Sequence, residues 1–120
     1  MKNFRELKVW VKAHDLVLNV YRDTRDYPAS EIYGLTSQTR RAAASVPANI
    51  AEGCGRHGDV ELARFMQIAA GSASELEYHL LLARDLEMMH ETVYANLHSE
   101  VVEVKRMLTT FIAKLREGSR

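Results

Sequence analysis

No stretch of this chain alternates apolar and polar residues as a half-buried strand must. Its apolar residues recur at three and four positions, the helical period, and that constrains the fold more than any other feature. The residues that break helices are few, two prolines and six glycines in 120 residues, and most of them gather near the ends of the periodic segments. The pattern predicts four helices, at about 4–26, 31–52, 59–89 and 92–116, in one domain spanning residues 1–120. Asn3, Ser30 and Asp59 are the expected N-caps of the first three, and Pro28 lies just past the first. Short connections between long helices make neighbours antiparallel, so the expected fold is all-α, an antiparallel up-down four-helix bundle.

Pro47 falls inside the second helix. It removes an amide donor and crowds the preceding turn, which predicts a kink there. The seam of the third helix runs Leu62, Phe65, Ala69, Ser72, Leu76, His79, Ala83, Leu86, and its middle, AAGSAS (69–74), is all small. Small side chains admit a close neighbour. The seam of the fourth helix is Tyr94, Leu97, Val101, Val104, Leu108, Phe111 and Leu115.

The first helix carries more apolar surface than a monomer covers. With 100° between successive residues, its apolar arc spans about 220°, against about 140° for the fourth helix. Leu80, Leu81 and Leu82 likewise point in three directions. The surplus predicts packing against another copy, with Val9, Trp10, Leu16, Val20, Leu81 and Leu82 as the candidate oligomer interface. A deeply sunk first helix in a closed monomer is the alternative.

Composition excludes several classes. Sixteen basic residues balance sixteen acidic ones, so net charge announces neither a nucleic-acid nor a membrane partner, although charge can still be segregated on the surface. No run approaches the ~20 apolar residues of a membrane span, and charged residues interrupt the start where a secretory segment would lie. A cytoplasmic protein is expected. The lone Cys54 builds neither an internal disulfide nor a thiolate zinc site.

The motifs for chemistry are weak. Gly53, Gly55 and Gly58 match G-x-G-x-x-G in letters, but a helix precedes them where a dinucleotide fold needs a strand. They read as a turn releasing the second helix into the third, with Arg56, His57 and the first amides of the third helix as a candidate phosphate site. Glu87 and His90 form one Glu-x-x-His pair where a dinuclear bundle site needs two. HETVY (90–94) has Tyr94 where a zincin needs its second histidine. No catalytic residue, metal ligand or cofactor-binding residue is predicted, and no cofactor. Gln38, Ser45, Asn49 and Glu52 share one stripe, and with Ser72 and Glu75 form a candidate structural polar network. Arg5, Lys8, Lys12, Arg40, Arg41 and Arg56 are the candidate nucleic-acid contacts, which a ring of subunits would repeat.

QTRRAAASVPANIAEGCGR (38–56), ELARFMQIAAGSASELEYHL (61–80), LKVWVKAHDLVLNVY (7–21) and YPASEIYGLTSQ (27–38) together resemble the four-helix bundle proteins encoded in intervening sequences of bacterial 23S rRNA genes. The resemblance covers about residues 3–115. It implies a ring-shaped homopentamer. That family is similar to the accessory proteins of diversity-generating retroelements, which bind nucleic acid and a reverse transcriptase through a basic surface. Those relatives are basic, whereas this chain is balanced. The matching residues, among them Gln38, Arg41, Pro47, Gly53 and Gly71, are not catalytic in the family. The expected function is a non-enzymatic oligomeric binding or scaffolding module contacting structured RNA or DNA, or a protein that handles nucleic acid. A structural or partner-binding ring without nucleic-acid affinity is the alternative.

Overall fold

Why the first helix does not start at Phe4 is settled by where Phe4 must point. In a continuous helix Phe4 would lie about 150° from the stripe of Val9, Ala13, Leu16 and Val20, facing water. In the structure, a computed structural model that describes residues 2–118, the chain breaks there instead. The Asn3 side chain accepts a hydrogen bond from the Arg5 amide at 3.1 Å, but it caps only a 3-10 turn, Phe4–Glu6. Leu7 is extended (φ −82°, ψ 126°), and helix α1 runs Lys8–Asp23. The break returns Phe4 to Trp10, ring centroids 4.9 Å apart.

α1 also ends earlier than periodicity suggests. The Thr24 hydroxyl donates to the Val20 carbonyl at 2.8 Å and receives the Arg40 Nε proton at 2.8 Å. A side chain that competes for the helix's own carbonyl, and is itself held from the next helix, stops the helix. Tyr27 then folds inward, 7% exposed.

Ser30 does not cap the second helix. It lies in a 3-10 turn, Ala29–Glu31, and the helix, α2, runs Leu35–Cys54. Gly34 holds the N-cap position, and the Glu31 carboxylate, from the preceding turn, accepts the Leu35 amide at 3.1 Å, a favourable charge at a helix N-terminus. α2 continues through Pro47, which is buried. Gly58 (φ 84°) turns the chain into α3, Asp59–Asp85, so Gly58 holds the N-cap position and Asp59 is the first helical residue. α3 ends in a Schellman motif: the Met88 amide bonds the Ala83 carbonyl and the Glu87 amide the Arg84 carbonyl, both at 2.9 Å. The left-handed position is Glu87 (φ 59°), where glycine is usual. α4 runs Glu91–Gly118.

The helices pack in chain order around a square, α1 on α2, α2 on α3, α3 on α4 and α4 back on α1. The result is an antiparallel up-down bundle of 48 × 22 × 20 Å. Among the described residues there is no strand. Its axis is filled by Leu16, Ile50, Met66, Leu76, Leu97 and Leu108, all fully buried. Each such side chain stabilises the fold by ~1.5–3 kcal/mol relative to exposure. α2 and α3 share the most extensive interface. A Cβ placed on Gly53 would stand 2.8 Å from Phe65 Cβ.

One expectation is corrected here. Val9, Leu16 and Val20 are at most 2% exposed, because α2 and α4 close over that stripe. Residues sealed in their own core cannot face a second copy. Trp10, Leu81 and Leu82 are half-buried and remain available.

Candidate functional site

The polar stripe on α2 is only partly a network. Ser45 Oγ and Ser72 Oγ lie 2.8 Å apart across the two helices. Asn49 Nδ2 donates to the Ser45 carbonyl at 2.8 Å and to Ser45 Oγ at 3.0 Å. Glu52 turns instead to Arg56 (3.2 Å), Glu75 lies 3.8 Å from His79 Nε2, and Gln38 is exposed. Gln38, Glu52 and Glu75 therefore do not join Ser45, Asn49 and Ser72.

Further along the same interface sit three buried polar atoms without a hydrogen-bond partner: Tyr27 OH, Thr39 Oγ1 and His79 Nδ1. Tyr27 packs with Leu35 and Ala83, and Thr39 and His79 lie one turn from those two. Burial, with Asp23 nearby, pushes the Tyr27 phenol up to about 12.

The glycine loop is a packing device at its first position and a turn at its last. Gly53 lets α3 pass, and Gly58 supplies the positive φ. The Arg56 guanidinium pairs with Glu52 and lies 5.2 Å over the Phe65 ring. Asp59 and Glu61 already place carboxylates in the first turn of α3, where a phosphate would bind. Cys54 is 2% exposed, and burial pushes its thiol above the ordinary range.

The six basic candidates do not converge. Arg40 is half-buried and pinned to the end of α1, bonded to Thr24 Oγ1 and, at 3.3 Å, to the Tyr21 carbonyl, with its guanidinium 4.8 Å over the Tyr21 ring. Arg41 is exposed on the neighbouring face. Lys12 lines a depression with Asp15, Glu100 and Glu103. Arg5, in the Phe4–Glu6 turn, and Lys8, the first residue of α1, are exposed.

Charge is nevertheless segregated along the bundle. The end formed by the N-terminus, the α2–α3 loop and the last turns of α4 carries Lys2, Arg5, Lys8, Arg64, Lys114 and Arg116, and cations outnumber carboxylates there. The opposite end carries Asp23, Asp26, Glu31, Asp85, Glu87 and Glu91, with the balance reversed. Between α3 and α4, Glu77 accepts from Lys105 Nζ at 2.8 Å and lies 3.1 Å from His98 Nε2. The Lys105 hydrogen bond, reinforced by His98, holds the Glu77 carboxyl below the usual range.

Two surfaces stand out. Along α1, Val11, Leu18 (55%) and Tyr21 are exposed, beside half-buried Trp10 and Val17 and a His14 ring stacked on Trp10 at 4.9 Å. On the adjoining face of α2, the side that bears Arg40, lie Ala44, Ala48 and Ala51. The second surface is a groove of about 430 Å³ between the start of α1 and the last turns of α4. Leu7, Met107 and Phe111 form its floor, and Lys8, Arg106 and Lys114 stand at its rim. Spacing within α4 puts Met107, Phe111 and Lys114 on one side, but nothing local to the sequence joins them to Leu7 and Lys8.

The architecture is that of an all-α four-helix bundle whose helices leave apolar surface uncovered, and no described helix is long and apolar enough to cross a membrane. A family model for the 23S rRNA-intervening sequence proteins matches residues 5–110, and the chain belongs to that family. Its fold is similar to the crystal structure of a protein of unknown function from the S23 ribosomal protein family of Bacteroides thetaiotaomicron. The TM-score is 0.78 at 21% identity, covering 87% of this chain and 97% of that one. No curated protein matches the chain.

Proposed function

We propose that the protein is a non-catalytic, self-associating bundle, assembled as a ring of five subunits, that acts as a binding or scaffolding module for structured RNA or a protein that handles nucleic acid. The observation that carries it is the exposed stripe of Val11, Leu18 and Tyr21 beside Trp10. Contiguous apolar surface of this kind marks interaction sites. A ridge on α1 beside a shallow run of alanines on α2 favours a head-to-tail contact, ridge of one copy against alanines of the next. Such heterologous contacts form a ring when the rotation between successive subunits closes on itself. In this reading Pro47 bends α2, and so shapes the alanine face.

The nucleic-acid part rests on the axial segregation of charge. Subunits set the same way up would gather the cationic ends, including Arg5 and Lys8, on one rim, and repeated weak phosphate contacts add up. The zero net charge favours the second reading, a ring that binds protein partners alone.

Light scattering on a sizing column tests the assembly. The expected mass is about 68 kDa, five times the 13.6 kDa of the chain, and a single-chain mass overturns the ring. RNA binding followed by anisotropy tests the partner. Affinity should fall steeply with salt and weaken in Arg5→Glu, and absence of binding at low salt leaves the protein-partner reading.

A further inference from the structure

The groove between α1 and α4 has a composition that self-assembly does not explain. Its floor is apolar, from Leu7, Met107 and Phe111, each half-buried and packed on the core. Its rim is cationic. Lys8 and Lys114 are exposed and form no ion pair among the described residues, while Arg106 is tied to Glu103. Glu6 is the one carboxylate that lines it. The groove exists because the chain breaks at Leu7, which turns Phe4–Glu6 aside and lowers Leu7 between the helices. α1 then opens at Lys8 without a side-chain cap and without an acidic residue in its first turn, so the helix dipole adds to the positive field.

We infer that this groove binds a small, single-chain amphiphilic anion, a medium-length alkyl chain with a carboxylate or phosphate head. The chain lies on Leu7, Met107 and Phe111, and the head is held between Lys8 and Lys114. The volume of about 430 Å³ falls within the ~300–1,000 Å³ of small-molecule sites. Apolar contact supplies affinity, and the two ammonium groups select the sign of the head. The long methylene stems of the lysines extend the apolar walls while their charges stay in water.

The test uses the full chain and three probes below their micelle concentrations: decanoate, decanol and decyltrimethylammonium. Binding is followed by calorimetry and by the NMR shifts of the Met107 methyl group and the Leu7 and Phe111 amides. Decanoate should bind tightest and decyltrimethylammonium weakest. Lys8→Glu with Lys114→Glu, both exposed positions, should weaken decanoate about tenfold and leave decanol within about twofold, since each reversal replaces an attraction with a repulsion. Thr110→Trp, which fills the groove from an exposed position of α4, should abolish binding of both. Equal affinity for the anionic and cationic probes, or decanoate binding unchanged by the charge reversals, overturns the assignment. So does co-sedimentation with phosphatidylglycerol vesicles without decanoate binding, which would make the surface a membrane contact.

Discussion

Two glycines inside helices should respond to alanine with opposite signs. At Gly71, exposed on α3, an added Cβ meets nothing within 4 Å. Gly71→Ala should therefore return the full helix-propensity gain of ~1 kcal/mol. At Gly53 the same gain is opposed by a clash. The new Cβ would stand 2.8 Å from Phe65 Cβ and 3.1 Å from Leu62 Cδ1. Carbon atoms prefer ~3.5–4.0 Å, so the first contact is about 1 Å too short. Phe65 Cβ is bonded to the α3 backbone, and no rotamer change moves it. α2 and α3 must part locally, loosening Ile50, Cys54, Leu62 and Met66 around them. Overpacking of that kind costs ~1–3 kcal/mol, and a rigid partner places this site at the upper end. Less ~1 kcal/mol of propensity, Gly53→Ala should destabilise the fold by ~2 kcal/mol. Thermal unfolding followed by far-UV circular dichroism measures both variants, at one protein concentration because self-association would add to stability. The midpoint temperature should fall by about 8 °C for Gly53→Ala and rise by about 4 °C for Gly71→Ala. A Gly53→Ala variant as stable as the parent would refute the reading of Gly53 as the point where α3 passes.

Three other outcomes follow from single residues. Glu87→Gly should stabilise by ~0.5–1 kcal/mol, because a left-handed conformation costs a side-chain-bearing residue ~1–2 kcal/mol and glycine returns part of that as unfolded-state entropy; a loss in thermal melting would mean that the Glu87 side chain holds the turn. Thr39→Val keeps the shape and removes a buried hydroxyl without a partner, so the melting temperature should rise by several degrees, by ~1 kcal/mol, and a drop of that size would show that the hydroxyl is satisfied. Glu77, held below the usual carboxylate range by Lys105 and His98, contributes stability that is complete above about pH 4.3 and lost as pH falls through its lowered value; Glu77→Gln should remove that acid-dependent part, ~1 kcal/mol or less for a partly exposed pair, and an unchanged stability profile against pH would sink the assignment.

Helix periodicity placed all four helices, and the NIAEG and GSASELE blocks pointed to the family, because both signals lie within a few residues of chain. Ser45 and Asn49 were legible as a pair because i, i+4 spacing on a helix is itself a distance. Helix ends were less legible. Phe4–Glu6 reads as helix until Trp10 claims the Phe4 ring, and Asp23 ends α1 because Arg40, from the next helix, holds Thr24. The wide apolar arc of α1 was visible in the sequence, but not its division. A wheel shows how much surface is apolar, and only the positions of α2 and α4 decide that Val9, Leu16 and Val20 turn inward while Val11, Leu18 and Tyr21 stay out. The groove of Leu7, Lys8, Phe111 and Lys114 joins residues from opposite ends of the chain. Local spacing carries no information about such pairs, since their proximity is set by the packing of α1 on α4.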